Sequence, residues 1–259
     1  MSKAPLGFFD SGVGGTSVWS EVNSLLPNEH SVYLADSKNA PYGPKGKDRI
    51  IELSIKNTEL LLKKGCKLIA VPCNTATTNA IDVLRSTYDI PFVGIEPAIK
   101  PAALQTKTNS IGVLATKGTL SSALFHKTSS LHTSGIQVIE QVGEGLVPLV
   151  EAGKINHKET LNLLEKYTKP MLDANIDYLV LGCSHYPYLI TPLKKVLPNH
   201  ITIIDSGEAV ARQVQAVLSQ YDLLNKDIKP ATHYFYTNTT VDTLKQLLPK
   251  QKYIEYLDF

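Results

Sequence analysis

Residues 68–77 read LIAVPCNTAT: an apolar run, a proline, then a cysteine followed by hydrogen-bonding side chains. The run is short and lacks polar alternation, which marks a strand buried on both faces, as strands of parallel sheets are. Pro72 ends it, and an apparent helix over 74–86 follows. A strand feeding a helix through a turn is half of a βαβ unit, and the pattern recurs along the chain. Strands are expected at 6–9, 31–35, 67–72, 91–95, 110–115, 136–140, 177–181, 201–204 and 232–237. Helix-like segments lie between them; in 159–172, Leu161, Leu164, Thr168 and Met171 share one helical face. Parallel strands need crossover connections, so the fold class is α/β.

The 259 residues, 43% hydrophobic and 19% charged, suffice for one large domain or two small ones. Net charge is +2, and the lysine pairs 63–64 and 194–195 have no interleaved aromatics, so no nucleic-acid partner is expected. No apolar run approaches the roughly 18 residues of a membrane span. Residues 1–5 lack the basic and apolar regions of a signal peptide, so a cytoplasmic protein that does not engage membranes is expected. Three widely spread cysteines, 66, 73 and 183, make a disulfide framework a poor reading. Their reason is packing, metal binding or reactivity.

The order of motifs repeats. GFFDSGVGG at 7–15 and the strand-to-turn segment at 69–77 are followed, at nearly the same spacing, by IGVLATKGT at 111–119 and LVLGCSHYP at 179–187. Two similar lobes are expected, each presenting one small-residue turn and one cysteine. Ligands of open α/β sheets bind outside the carboxyl ends of the strands, where Cys73 and Cys183 both lie. If the lobes face each other, the thiols approach one cleft from opposite sides.

The plainer reading of a free cysteine is a small buried hydrophobe, and Cys66 fits it. Cys73 and Cys183 differ because Asn74-Thr75 and Ser184-His185 follow them instead of further core. Cys73 precedes a helix whose N-terminal amides favour negative charge, and Cys183 lies two residues from His185, on the same face of an extended segment. Zinc is disfavoured: Cys183-x-His185 lacks structural-zinc spacing and nothing marks a fourth ligand. The glycines of FFDSGVGG lack both the G-x-G-x-x-G spacing and the Gly-Lys-Ser/Thr of a phosphate loop. Asp10 there is a helix cap, a partner for a substrate ammonium, or a proton acceptor beside a thiol. NAPYGPKG at 39–46 is a turn whose amides, with the Tyr42 hydroxyl, can hold a carboxylate.

Two opposed thiols suit inversion at an amino-acid α-carbon. One removes the proton as thiolate, the other returns a proton to the opposite face, and the roles exchange in the reverse direction. A hydrolase with Cys183 as nucleophile and His185 as base leaves Cys73 idle, and an amino-acid-binding protein gives no reason for either thiol. A pyridoxal phosphate enzyme needs a Schiff-base lysine, which nothing in the sequence identifies.

FDSGVGG, ADSKNAPYG, PCNTAT, GIEPAIKPA, LVPLVEAG and LGCSHYP occur in this order. Together they resemble the glutamate racemases, cofactor-independent members of the aspartate/glutamate racemase group, over nearly the whole chain. The resemblance implies two lobes related by a pseudo-twofold, residues 1–95 with 208–259 returning to them, and residues 96–207, with the active site in the cleft between. It implies no cofactor and no metal, glutamate as the small-molecule substrate, D-glutamate supply for peptidoglycan as the role, and a homodimer as an assembly found in the group. By the same analogy Cys73 acts on D-glutamate and Cys183 on L-glutamate. Asp10 assists Cys73, and His185 with Glu151 assists Cys183. Substrate contacts carry over to Asp10, Ser11, Tyr42, Gly43, Asn74, Thr75, Thr116, Thr119, Ser184 and His185. The chain departs from the family's common Cys-Thr-His at Cys183-Ser184-His185, and QVGEGL, ahead of VPLVE, lacks the family's Cys-Pro. The nearest rival is a sister racemase acting on aspartate, one methylene shorter and worth only about 1–3 kcal/mol of discrimination.

Overall fold

The computed structural model describes residues 2–227 and 229–259; Met1 and Ile228, which fall within the expected first lobe and its returning segment, lie outside the described residues. It contains two parallel sheets flanked by helices. The first is built from β1 (Leu6–Asp10), β2 (Ser31–Ala35), β3 (Leu68–Val71), β4 (Phe92–Gly94), β9 (His233–Thr237) and β10 (Tyr253–Tyr256), in the order β10-β9-β2-β1-β3-β4. The second is built from β5 (Ser110–Ala115), β6 (Gln137–Val142), β7 (Tyr178–Gly182) and β8 (Thr202–Ile204), in the order β6-β5-β7-β8. All neighbours in both sheets run parallel.

The repeat in the sequence is thus a repeat in topology. β2-β1-β3-β4 and β6-β5-β7-β8 are the same arrangement, so the turn after β1 corresponds to the turn after β5, and Cys73 to Cys183. β1, β2, β3 and β5 are buried along their whole length because helices cover both sheet faces, which is why they read as unbroken apolar runs. β6 is an edge strand and only partly buried, and its span runs to Val142, past the expected end at residue 140.

Two further details differ from the sequence pattern. β10 is not anticipated at all: its YIEY buries only Ile254. The helix expected at 159–172 spans Lys158–Asp173, and its buried face is Thr160, Leu164, Tyr167, Thr168 and Met171, with Leu161 only half-buried. Tyr167 takes its place because its hydroxyl donates to the Glu144 carbonyl oxygen at 2.8 Å. Cys66 packs against Gly7 in the first lobe's core, and burial pushes its thiol up to about 12, the state of an inert packing residue.

After β8 the chain leaves the second sheet. The helix Gly207–Gln220 packs on the helix Thr16–Leu25, joining Val210, Val214 and Leu218 to Val18, Trp19 and Val22 in one core. β9 then pairs with β2, and Trp19 sets its edge on Phe235 with ring centroids 4.7 Å apart. A buried ion pair holds the connection between them: Lys67 Nζ donates to Glu29 Oε2 at 2.6 Å and to the Leu223 carbonyl oxygen at 2.7 Å, while Asn225 N donates to Glu29 Oε1 at 2.7 Å. Among the described residues no helix is long and apolar enough to cross a membrane.

Candidate active site

Cys73 ends the turn after β3 and caps the helix Asn74–Thr87. Its Sγ accepts from the Ala76 N–H at 3.4 Å, and the Ser11 hydroxyl and N–H also point at it. Helix N-terminal amides are suited to a thiolate. Burial and the negative charge of nearby Asp10 nonetheless push the resting thiol well above the usual range, with the Ala76 and Ser11 bonds opposing. Asp10, at the end of β1, is fully buried; its Oδ2 accepts from Gly12 N at 3.2 Å and Gly15 N at 3.0 Å. Its Oδ1 accepts from the Ser184 hydroxyl of the second lobe at 3.0 Å. Burial raises the Asp10 carboxyl against the pull of His185 and these donors.

On the other side Cys183 follows β7, with its Sγ 3.9 Å from His185 Nδ1. His185 Nε2 meets Glu151 Oε1 at 2.5 Å. Burial alone would favour the neutral imidazole, but the bonds to Cys183 and Glu151 outweigh it and hold His185 well above its usual range. For Glu151, burial raises, yet the His185 bond and charge, the Ser37 hydroxyl and the Val13 N–H bring it below the usual carboxylate range. Both directions favour the imidazolium–carboxylate form of the pair. A cation beside the sulfur would favour a thiolate at Cys183.

Glu151 also ties the lobes together: Oε1 accepts from Val13 N at 2.7 Å and Oε2 from the Ser37 hydroxyl at 2.7 Å. Glycines make room for this. A Cβ on Gly12 would run into the Glu151 carboxylate, and one on Gly14 into the His185 ring. The G-x-G-G pattern serves close approach of the second lobe, not a phosphate.

Both thiols reach one buried cavity of about 10 Å³, walled also by Ser11, Pro41, Tyr42, Gly43, Asn74, Thr75, Thr116, Val147, Ser184 and His185. That is roughly the space of a single water, so a molecule the size of an amino acid would fit only if the lobes or the turn at Pro41–Gly43 moved. A wider vestibule of about 990 Å³ adjoins it, sharing Pro41, Gly43, Thr116 and Val147. Thr75, Thr116 and Thr119 form a hydroxyl triangle across the lobe boundary, with Thr75 to Thr116 at 2.8 Å and Thr116 to Thr119 at 3.0 Å. The Asn74 side-chain amide oxygen, Oδ1, is buried without a partner among the described residues and is free to accept a hydrogen bond from a ligand.

Of the site residues expected from sequence, all gather here, but Asp10, Thr119 and Glu151 stand one layer behind the cavity wall. Asp10 lies beside Cys73 and accepts from Ser184, Thr119 contacts Thr75 and Thr116, and Glu151 contacts His185. Sequence reasoning missed Ser37, whose partner Glu151 is far along the chain, and Val147, an apolar wall residue inside VPLVE. Among the described residues, no group of three or more His, Cys, Asp or Glu side chains is disposed to hold a metal.

The model of the Asp/Glu/hydantoin racemase family matches residues 14–214. A glutamate racemase of Ectopseudomonas mendocina is 45% identical over 250 residues, covering 96% of this chain and 95% of that protein. The chain belongs to this racemase family. Among solved structures, Escherichia coli glutamate racemase in complex with L-glutamate and an activator superimposes with a TM-score of 0.88 at 32% identity, covering 98% of both chains. The Bacillus anthracis glutamate racemase isoform RacE1 gives 0.87 at 30% identity, covering 100% of this chain and 99% of that one. Racemisation moves a proton across the plane of the reacting carbon, and in this chain the two sulfurs reach one cavity from the ends of strands in different sheets.

Proposed function

We propose that this protein racemises glutamate, interconverting the L and D forms by two-base proton transfer. One observation carries the reading: Cys73 and Cys183, from different lobes, wall the same buried cavity, and each has its own proton-handling partners. In one direction the Cys183 sulfur takes the α-proton of L-glutamate, breaking C–H and forming S–H. The carbanion then takes the Cys73 proton on its other face, leaving a thiolate there; the reverse direction exchanges the roles. Asp10 and Ser11 serve Cys73, and the His185–Glu151 pair serves Cys183. Asn74, Thr75, Thr116, Ser184 and the amides of Tyr42 and Gly43 hold the substrate, with Thr119 bracing Thr75 and Thr116. The lobes of this mechanism are residues 1–95 with 208–259, and residues 96–207. The role is D-glutamate supply for peptidoglycan, carried out in the cytoplasm. The relatives' names, and the cover of nearly their full length, support glutamate over aspartate.

The test is purified protein in D₂O given L-glutamate and L-aspartate separately, followed by NMR and optical rotation. Deuterium at Cα with decay of rotation for glutamate alone is expected. Exchange of aspartate alone would reassign the substrate, and no exchange with reduced thiols would overturn the two-thiol reading.

A further inference from the structure

The turn that closes the cavity, Pro41–Gly43, belongs to no helix or strand, and the N–H groups of Tyr42 and Gly43 have no hydrogen-bond partner among the described residues. Something else must fix it. The Tyr42 ring is buried, and its hydroxyl donates at 2.6 Å to Asp36 Oδ2 while accepting from Asn57 Nδ2 at 3.1 Å. Asp36 is fully buried, and donors surround it: Asn39 Nδ2 at 2.8 Å and Asn238 Nδ2 at 2.6 Å on Oδ1, and Lys56 Nζ at 3.3 Å from both oxygens. Lys56 is itself held by the Phe259 carbonyl oxygen at 3.2 Å and lies over the Phe259 ring. The Asp36 N–H donates to the carbonyl oxygen of Asp10 at 3.0 Å, so the hub is registered to the strand end that supports Cys73.

From this arrangement we infer that Asp36 and Lys56 are positioning residues for substrate binding: together with Asn238 they hold the Tyr42 hydroxyl and set the two free amides of the turn toward the incoming carboxylate. This rests on the glutamate reading above. A carboxylate ringed only by donors cannot be replaced by an amide without placing a donor against donors. Without Lys56 the buried carboxylate loses its ion-pair partner, so both changes loosen the turn. Neither Asp36 nor Lys56 lines the cavity, so the effect passes through Tyr42.

The experiment compares steady-state kinetics in both directions for the wild type, Asp36→Asn, Lys56→Met, Lys56→Arg and Tyr42→Phe, with thermal melting of each and the melting shift produced by saturating L-glutamate. Asp36→Asn and Tyr42→Phe should raise KM about ten- to a hundredfold, the range for losing a hydrogen bond to a charged group. The kcat should stay within about threefold, since neither residue touches the reacting atoms. Lys56→Met should follow in the same direction and Lys56→Arg should restore KM. The glutamate-induced melting shift should shrink in step with KM. Unchanged KM in Tyr42→Phe and Lys56→Met, or a fall in kcat and melting temperature alone, would overturn the inference even if Asp36→Asn fails to fold. Absence of glutamate racemisation in the wild type would instead overturn the reading on which it rests.

Discussion

Cys73 and Cys183 have the same place in two repeated lobes but different surroundings. One faces a helix N-terminus with Ser11 and Asp10, the other an imidazolium backed by Glu151. In the proposed mechanism each half of the reaction has its own base, so removing one should leave the other half working. In D₂O, Cys73→Ala should deuterate L-glutamate through Cys183 without forming the D enantiomer, and Cys183→Ala should deuterate D-glutamate alone. Racemisation should fall on the order of a thousandfold, within the range for a lost general acid or base. Nuclear magnetic resonance for exchange and circular dichroism for inversion read the two events separately, and equal exchange of both enantiomers in either variant would contradict the assignment.

Elements bring these residues together through close approach, and glycines decide how close. At Gly118 a Cβ would lie 2.9 Å from the Gly43 carbonyl oxygen and 2.9 Å from Thr75 Cγ2, both across the lobe boundary. Gly118→Ala should therefore prop the lobes apart and lower kcat/KM on the order of ten- to a hundredfold, as small misplacements of reacting groups do. Gly46→Ala, where a Cβ meets nothing within 4 Å, should leave it unchanged; equal effects of the two would show that lobe approach is not what matters. Much of this architecture is legible in the sequence, because two-sided burial writes β1, β2, β3 and β5 as apolar runs and each turn follows its strand directly. The cysteines stand out for the same reason, as polar turns at apolar ends. What is not legible is made by distance. Asp36 draws on Lys56 and Asn238, and Glu151 on Val13 and Ser37, and no local pattern joins such positions. β10 hides because, as an edge strand, it buries one side chain and leaves its tyrosines outside.

For the whole molecule, closure and charge are coupled. Glu151 is carried by the second lobe, yet it takes hydrogen bonds from Val13 and Ser37 of the first while supporting His185, so the charges of the site contribute to holding the lobes together. The sign of the pH dependence follows from the shifts. Folding raises His185 above 6.5, so its contribution is complete below pH 6.5 and is lost as pH rises through the higher folded value. Folding lowers Glu151 below 4.5, so its contribution is complete above pH 4.5 and is lost as pH falls through the lower folded value. Asp10 acts oppositely to Glu151: raised from 3.8, it adds stability at acid pH that fades as pH rises through its folded value, blunting the acid loss. The stability difference between wild type and Glu151→Gln should thus be largest between pH 4.5 and 6.5 and shrink on both sides. The variant also loses the charge that holds His185 protonated, so the alkaline limb of its pH–rate profile should move to lower pH. Urea unfolding across pH 3.5–9.5 on both proteins, with kcat/KM over the same range, measures both effects. A difference that stays flat with pH, together with an unmoved alkaline limb, would mean that Glu151 joins the lobes by geometry alone and that His185 does not depend on it for its proton.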